Sequence, residues 1–149
     1  VYPAINQNST QMAVRYTYGG KQYYQIYNLA NGRFINPRNP VKRICLSATS
    51  GDFQGFDLYG TSIYTIEGSP RKSFLLGYDR SRRYQPTKIR RYNYAARSKK
   101  TITVRGAKTL SFREPEGIKV LAGGQIYMMY VSNTLTNQSC NIYRVKRKI

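Results

Sequence analysis

A chain of 149 residues with 40% apolar side chains can bury a core of its own, which excludes a disordered tail and predicts one domain over residues 1–149. The absence of His argues against Ser-His-Asp catalysis and most catalytic zinc sites, and two cysteines are too few for a disulfide scaffold. We therefore expect no enzymatic activity, no metal and no cofactor. The 25 basic and six acidic residues give a formal charge of +19, which favours a polyanionic partner such as nucleic acid, a sulfated glycan or an anionic membrane.

Alternation of side chains with a period of two predicts β-strands through the first half of the chain. In MAVRYTY, one face carries Met12, Val14, Tyr16 and Tyr18, and the other carries Ala13, Arg15 and Thr17. KQYYQIYNLANGRFI predicts two strands joined by a turn at Asn31-Gly32, the commonest short hairpin signal. RICLSA (43–48) and FDLYGTSIYTIEG (56–68) predict further strands, and GDFQG (51–55) between them is interpreted as a turn flanked by Asp52 and Asp57.

Further short strands follow, separated by Gly, Pro or charged turns: SFLLGY (73–78), TITVRG (101–106), KTLSF (108–112) and GIKVLAG (117–123). Glu114 and Glu116 in REPEG are interpreted as exposed turn residues rather than a catalytic pair. The nearly continuous apolar run GGQIYMMYVSN (123–133) predicts a strand covered on both faces. In the last segment, CNIYRVKRKI, Tyr143 and Val145 are predicted to face the core, while the opposite face carries Arg144, Lys146 and Lys148.

About eight to ten short strands predict an all-β sandwich or closed barrel. A weak similarity between segments beginning at Tyr24, Tyr64 and Ile102, at intervals of 40 and 38 residues, leaves a threefold β-trefoil as the alternative. Cys45 and Cys140 are expected to be two independent buried thiols, with a disulfide between them as the other reading. No apolar run approaches the roughly 18 residues that span a membrane.

The positive charge is concentrated in the second half of the chain, where residues 71–149 carry a net charge of +16. The stretch DRSRRYQPTKIRRYNYAARSKK (79–100) holds nine basic residues, three tyrosines and one acid. Arg binds phosphate bidentately, and aromatic rings beside a basic track stack on bases, so this composition predicts a single-stranded nucleic-acid surface. The alternative for Tyr92 and Tyr94 is an ordinary inward-facing role in a strand. The predicted binding residues are Arg71, Lys72, Arg80, Arg82, Arg83, Tyr84, Lys88, Arg90, Arg91, Tyr92, Tyr94, Arg97, Lys99, Lys100, Arg105 and Lys108.

Two segments, GGQIYMMYVSNTLTNQSCNIYRVKRKI (123–149) and FDLYGTSIYTIEGSP (56–70), resemble strands of the single jelly-roll capsid proteins of small icosahedral viruses, of the circular single-stranded DNA virus or satellite-virus type. The resemblance implies a single eight-stranded antiparallel jelly-roll sandwich. It also implies a coat protein that self-assembles into a closed shell of about 60 copies and packages a single-stranded genome. Such a protein would be found in the virion, and in the host nucleus or cytoplasm during assembly.

Because the sequence begins with Val1 rather than Met, we expect a segment before it: a signal peptide, a propeptide or a disordered arm. The resemblance implies a basic, disordered arm. The positive charge of about 60 copies, at +19 each, would balance the phosphate charge of a single strand on the order of 1,000 nucleotides. The competing hypothesis is a secreted, basic, heparin-binding β-trefoil of the growth-factor type. The basic composition, the weak repeat and the sequons Asn8-Ser9-Thr10 and Asn137-Gln138-Ser139 are compatible with that class. A host receptor and a sulfated glycan are therefore further candidate partners.

Overall fold

The computed structural model describes residues 2–47, 52–68, 86–107, 110, 114–133, 138–147 and 149. In this part of the chain the regular elements are β-strands and one short 3-10 turn at Ala122–Gly124. The strands are β1 (Tyr2–Ile5), β2 (Gln11–Tyr18), β3 (Lys21–Ala30), β4 (Arg33–Phe34), β5 (Lys42–Ser47), β6 (Phe53–Tyr59), β7 (Ser62–Glu67), β8 (Thr87–Asn93), β9 (Ser98–Val104), β10 (Glu114–Leu121), β11 (Gln125–Asn133) and β12 (Gln138–Arg144).

The strands form three antiparallel sheets. The first sheet contains β1 to β5, the central sheet has the order β6-β7-β8-β9, and the third sheet has the order β10-β11-β12. The all-β prediction is therefore confirmed, and the arrangement is consistent with a β-sandwich. The jelly-roll order and the count of eight strands are not confirmed, since twelve strands are described and their ladders join strands that are close in sequence.

The central sheet is buried on both of its faces. Phe56, Leu58 and Ile63 pack with Ala13, Tyr24, Ile26 and Ile44 of the first sheet, in what we call the first core. The opposite face contributes Tyr64, Ile66 and Ile89 to a second core, which it shares with Val120, Ile126, Met128 and Tyr130 of the third sheet. Burial of two faces explains why all six residues of β7 are buried, although an isolated antiparallel strand would expose every second residue.

Several local predictions are confirmed. The β3–β4 turn has positive φ at Asn31 (51°) and Gly32 (73°), as the Asn-Gly hairpin turn requires. Residues 12–18 alternate as expected, and the buried face is the one that carries Ala13 and Arg15. At the C-terminal end, Val145 is buried in the second core and Tyr143 packs against it.

Two turn predictions are wrong. Residues 53–55 of the predicted turn belong to β6, and Asp57 is a buried strand residue whose side chain is 3% exposed. Glu114 and Glu116 likewise belong to β10. Both segments contain a β-bulge, and a Cβ at Gly55 would come within 3.5 Å of the Cα of Gly117. Glycines therefore stand here because two strands approach closely at bulges, where the sequence pattern resembles a turn.

The predicted coverage of residues 123–133 on both faces is also wrong. In β11, Ile126, Met128 and Tyr130 are buried, whereas the alternate residues Tyr127 and Met129 remain partly exposed. A strand of an outer sheet buries one face, and the apolar run reflects an apolar outer face rather than a second covering layer.

Cys45 and Cys140 are free thiols, which confirms that they are independent, but both are exposed rather than buried. Their side chains belong to the outer faces of the first and third sheets.

Some predictions fall outside the described residues, including the strand at 73–78 and most of the strand at 108–112.

The three segments of the weak repeat begin in β3, β7 and β9, and the last two strands share the central sheet. Equivalent strands of a threefold fold would each lie in a different third of the molecule.

Within the described ranges, no helix has the length and apolarity needed to cross a membrane.

Candidate nucleic-acid interface

Nine of the predicted binding residues lie in the described part of the chain, on or beside the β8–β9 hairpin: Lys88, Arg90, Arg91, Tyr92, Tyr94, Arg97, Lys99, Lys100 and Arg105. The structure brings these residues together on one supersecondary unit at the end of the central sheet. The other seven lie outside the described residues: Arg71, Lys72, Arg80, Arg82, Arg83, Tyr84 and Lys108.

Asn93 builds the tip of this hairpin. Its side-chain oxygen accepts hydrogen bonds of 3.0 Å from the backbone N–H groups of Ala95 and Ala96. Arg97 completes the turn with a φ of 52°, in the left-handed region. The Asn side chain thus supplies the hydrogen-bond acceptors that the backbone of a tight turn lacks. This turn fixes the register of the hairpin: Arg91 lies opposite Lys100, and Tyr92 lies opposite Lys99.

Strand alternation divides the basic run between two faces of the central sheet. Lys88, Arg90 and Lys99 share the face that looks toward the first sheet, together with Tyr92. Arg91 and Lys100 share the opposite face. Basic residues that are close together in the sequence therefore form two separate sets in space, because successive residues of a strand point in opposite directions.

A cavity of about 100 Å³ lies between the end of β5 and the face that carries Arg90 and Lys99. Its lining combines hydroxyl, ammonium and guanidinium groups with the apolar or aromatic side chains Leu46, Ile63 and Tyr92. A phosphate oxygen accepts hydrogen bonds from hydroxyl groups as well as from cations, so this set of donors suits an anion. The polar lining residues are Ser47, Thr65, Arg90, Arg91, Lys99, Lys100 and Thr101.

Arg90 also has a structural role beside this cavity. Its Nε lies 3.0 Å from Oε1 of Glu67, whose side chain is 1% exposed. Desolvation raises the pKa of the Glu67 carboxyl above its ordinary value, and the positive charges of Arg90 and Lys88 oppose that rise. Substituting Arg90 would leave a buried carboxyl without its cation, so any loss of binding would be mixed with a loss of stability.

Arg91 is likewise held by the fold. Its Nε donates to the hydroxyl of Ser62 at 3.0 Å, and its Nη1 donates to the backbone oxygen of Ile149 at 3.4 Å. The exposed cations of the hairpin are different residues, and we call them the exposed basic set: Arg97, Lys99, Lys100 and Arg105.

The two described tyrosines favour the alternative interpretation from the sequence. Tyr92 and Tyr94 are partly buried and pack against the first core. The hydroxyl of Tyr94 donates to the backbone oxygen of Gly60 at 3.3 Å, and burial raises its pKa. Lys99 lies over the Tyr92 ring, with Nζ 5.9 Å from the ring centroid. These rings pack inward against the first core, so they support the sheet and position Lys99.

An edge-strand role is a second reason for lysines at this place. Among the described strands, β9 is the last of the central sheet, and lysines on an edge strand prevent pairing with another chain. That role needs charge on the strand itself, at Lys99 and Lys100, but not in the turn at Arg97 or after the strand at Arg105. The spread of the exposed basic set beyond β9 favours binding over edge protection alone.

Sequence reasoning missed the polar part of the cavity, because Ser47, Thr65 and Thr101 come from three strands that are distant in sequence. It also missed the buried acid Glu67 beside Arg90. The single acidic residue of β7, Glu67, in a chain with a strongly basic strand was the sequence signal that could have indicated this ion pair. Among the described residues, no group of three or more Cys, Asp and Glu is placed to bind a metal ion.

The sequence matches no protein-family model, and no curated protein sequence matches it. Function must therefore be inferred from the charge, geometry and surfaces of the chain itself.

Glu67→Gln is expected to make the protein more stable at neutral pH. The raised pKa means that the folded state holds this proton more tightly than the unfolded chain does. The contribution of Glu67 to stability therefore falls as pH rises from the ordinary value of 4.5 through the raised pKa. Gln keeps an acceptor for Arg90 but carries no charge, so the variant avoids this fall.

Urea unfolding of both proteins between about pH 4.5 and pH 7.5 measures the effect as a difference in the free energy of unfolding. We expect the advantage of the variant to grow with pH and then to level off. Asp52→Asn changes the same formal charge at an exposed position and serves as the control. A difference between Glu67→Gln and wild type that does not vary with pH would contradict the assignment.

Proposed function

We propose that this protein binds single-stranded nucleic acid through the β8–β9 hairpin without reading its sequence, and that it does so as the coat protein of a small shell built from copies of this chain. A jelly-roll arrangement of the complete chain belongs to the same proposal. The observation that carries it is the exposed basic set on this hairpin, of which Lys99 and Lys100 line a cavity that also contains hydroxyl groups. Phosphate contacts from such groups bind the strand and fix its position without distinguishing bases.

The charge of the whole chain supports this partner class. The stretch from Arg80 to Arg113 contains no acidic residue, and the Glu67 carboxylate that pairs with Arg90 is buried. A net charge of +19 repels itself in a compact protein, and polyanion binding relieves that repulsion. Five Arg residues between positions 90 and 113 favour phosphate, which the planar guanidinium binds with two parallel hydrogen bonds.

The outer face of the third sheet supports assembly into a shell. Leu121 is 41% and Ile142 is 72% exposed, and they stand beside the partly exposed Tyr127 and Met129. These side chains border an open apolar depression of about 370 Å³. An apolar surface on a strongly charged protein favours a protein contact, because burying it against another subunit removes apolar area from water.

Purification of the full chain from a host that supplies nucleic acid tests both parts. We expect co-purified nucleic acid, detected as a raised ratio of absorbance at 260 and 280 nm, and closed particles in negative-stain electron microscopy. Nuclease treatment in about 1 M salt should remove the strand, because high salt screens the phosphate contacts. A monodisperse monomer would contradict the shell, and absorbance without any nucleic-acid contribution would contradict the binding.

A sulfated glycan is the outcome to separate from nucleic acid, since both are polyanions. Heparin and an oligonucleotide of matched charge should be compared on the nuclease-treated protein. Binding of heparin alone would favour the secreted-ligand hypothesis and would overturn the proposal.

A further inference from the structure

The outer face of the first sheet carries a row of tyrosines that the basic hairpin does not explain. The residues of β2 and β3 that point away from the first core include Tyr16, Tyr18, Tyr23 and Tyr27, which we call the tyrosine face. Tyr18 is 78% exposed, and the other three are partly exposed. The more apolar face of MAVRYTY, which includes Tyr16 and Tyr18, therefore faces solvent, while Ala13 and Arg15 face inward. This is the reverse of the usual pattern in an outer sheet.

The tyrosine face is ordered by cross-strand pairs. Tyr16 and Tyr23 are directly opposite each other, with ring centroids 5.2 Å apart and an interplanar angle of 11°. One row along the strands, Tyr18 lies opposite Lys21 at the end of the hairpin. In the other direction, the hydroxyl of Tyr27 donates to Gln25 at 2.7 Å. The rings are thus held on regular strands, which limits the entropy lost when a ligand stacks on them.

The strands that carry these rings contain basic residues and no acidic residue. Lys21 and Arg43 lie on the same face of the sheet as Tyr23, at neighbouring register positions. The first 51 residues contain six basic residues and no Asp or Glu. A second subunit of this chain would bring like charge to this surface, whereas a polyanion would bring opposite charge, so charge complementarity selects the polyanion.

We propose that the tyrosine face is a stacking platform for the bases of single-stranded nucleic acid. This inference rests on the proposed function and adds a second surface to it: the hairpin holds phosphates, and the tyrosine face holds bases. An antiparallel sheet with exposed aromatic rings can stack successive bases, and flanking cations hold the backbone between them. Neighbouring rows of the sheet are about 7 Å apart along a strand, so separate bases can use separate rings.

Two probes separate base stacking from phosphate binding: an oligothymidylate of about a dozen residues, and an abasic strand with the same number of phosphates. Wild-type protein should bind the base-bearing strand more tightly than the abasic strand by on the order of 10- to 100-fold. In Tyr18→Leu/Tyr23→Leu, this preference should disappear while affinity for the abasic strand stays within about twofold. The control variant, Tyr2→Leu/Tyr127→Leu, removes two tyrosines from other surfaces and should keep the preference.

Tyr18→Phe/Tyr23→Phe retains the rings and should also keep the preference, which separates stacking from hydroxyl contacts and from misfolding. A preference that survives Tyr18→Leu/Tyr23→Leu would overturn the platform while leaving the proposed function intact. Failure of wild type to bind either strand at low salt would instead overturn the proposed function. A change in sedimentation of the free protein caused by the Leu variant would show that the tyrosine face binds another copy of this chain, and would also overturn the platform.

Discussion

Replacing the exposed basic set by Gln, as Arg97→Gln/Lys99→Gln/Lys100→Gln/Arg105→Gln, is expected to weaken binding of single-stranded nucleic acid by about two orders of magnitude at physiological ionic strength. The slope of log K against log salt concentration should fall by about 3, because each lost phosphate contact with a single strand removes about 0.7 from it. Fluorescence anisotropy of a labelled oligonucleotide at several salt concentrations measures both quantities.

These four residues are chosen because the structure separates them from the cations that stabilise the fold. Arg90 pairs with the buried Glu67, and Arg91 donates to Ser62 and Ile149. Substituting Arg90 or Arg91 would change stability as well as affinity. The exposed basic set lies at the surface of the hairpin, so its loss should leave the free energy of unfolding nearly unchanged.

A charge-matched control removes four exposed arginines elsewhere: Arg33, Arg38, Arg144 and Arg147. Both variants have the same net charge, so the long-range attraction between protein and strand is reduced equally. The hairpin variant should lose far more affinity and a larger salt slope than the control. Equal losses would show that the strand senses the overall charge and that the hairpin is not a site.

The same variant tests the edge-strand explanation. If Lys99 and Lys100 serve only to keep β9 from pairing with another chain, their replacement should increase light scattering and leave nucleic-acid affinity unchanged. A monomeric variant with weakened binding supports the interface.

Local sequence signals predicted those parts of the fold that depend on neighbours in the chain. The Asn31-Gly32 turn and the alternation of Met12 to Tyr18 follow from backbone preferences that act over a few residues. Alternation divides a strand into two faces, but it does not say which face is buried. That choice depends on the partner sheet, and here it places Tyr16 and Tyr23 outside, where sequence alone would favour burying them.

The candidate site was predictable as a composition but not as a geometry. The basic run in the middle of the chain drew attention to the segment that forms the β8–β9 hairpin, but its charged residues obscured the strand pattern, in which Ile89 is fully buried. Alternation places Arg90 and Arg91 on opposite faces of β8, but their contacts with the fold depend on Glu67 and Ser62 of β7. A linear pattern contains no information on such pairs, because they form only when separate strands come together.

Asp57→Ala is expected to lower the free energy of unfolding by about 2–4 kcal/mol. The Asp57 carboxylate joins the central and third sheets. Its Oδ2 accepts the backbone N–H of Val120 at 2.7 Å, and its Oδ1 lies 3.0 Å from Nζ of Lys119. Val120 is 1% exposed, so Ala would leave a buried N–H without an acceptor. Lys119 is about half exposed and can turn toward water, which keeps the expected loss below that of a fully buried ion pair.

Urea unfolding followed by tyrosine fluorescence measures this loss, and Asp52→Ala is the matched control. Both substitutions raise the net charge from +19 to +20, so both include the same added repulsion, but Asp52 is exposed and its loss should cost about 1 kcal/mol or less. Asp57→Asn should fall between Asp57→Ala and wild type, because its side-chain oxygen can still accept from Val120 while the attraction to Lys119 is lost. If Asp57→Ala proved no more destabilising than Asp52→Ala, the carboxylate would not join the two sheets. Their packing would then rest on the apolar side chains of the second core, with Ile66, Ile89 and Val120 at its centre.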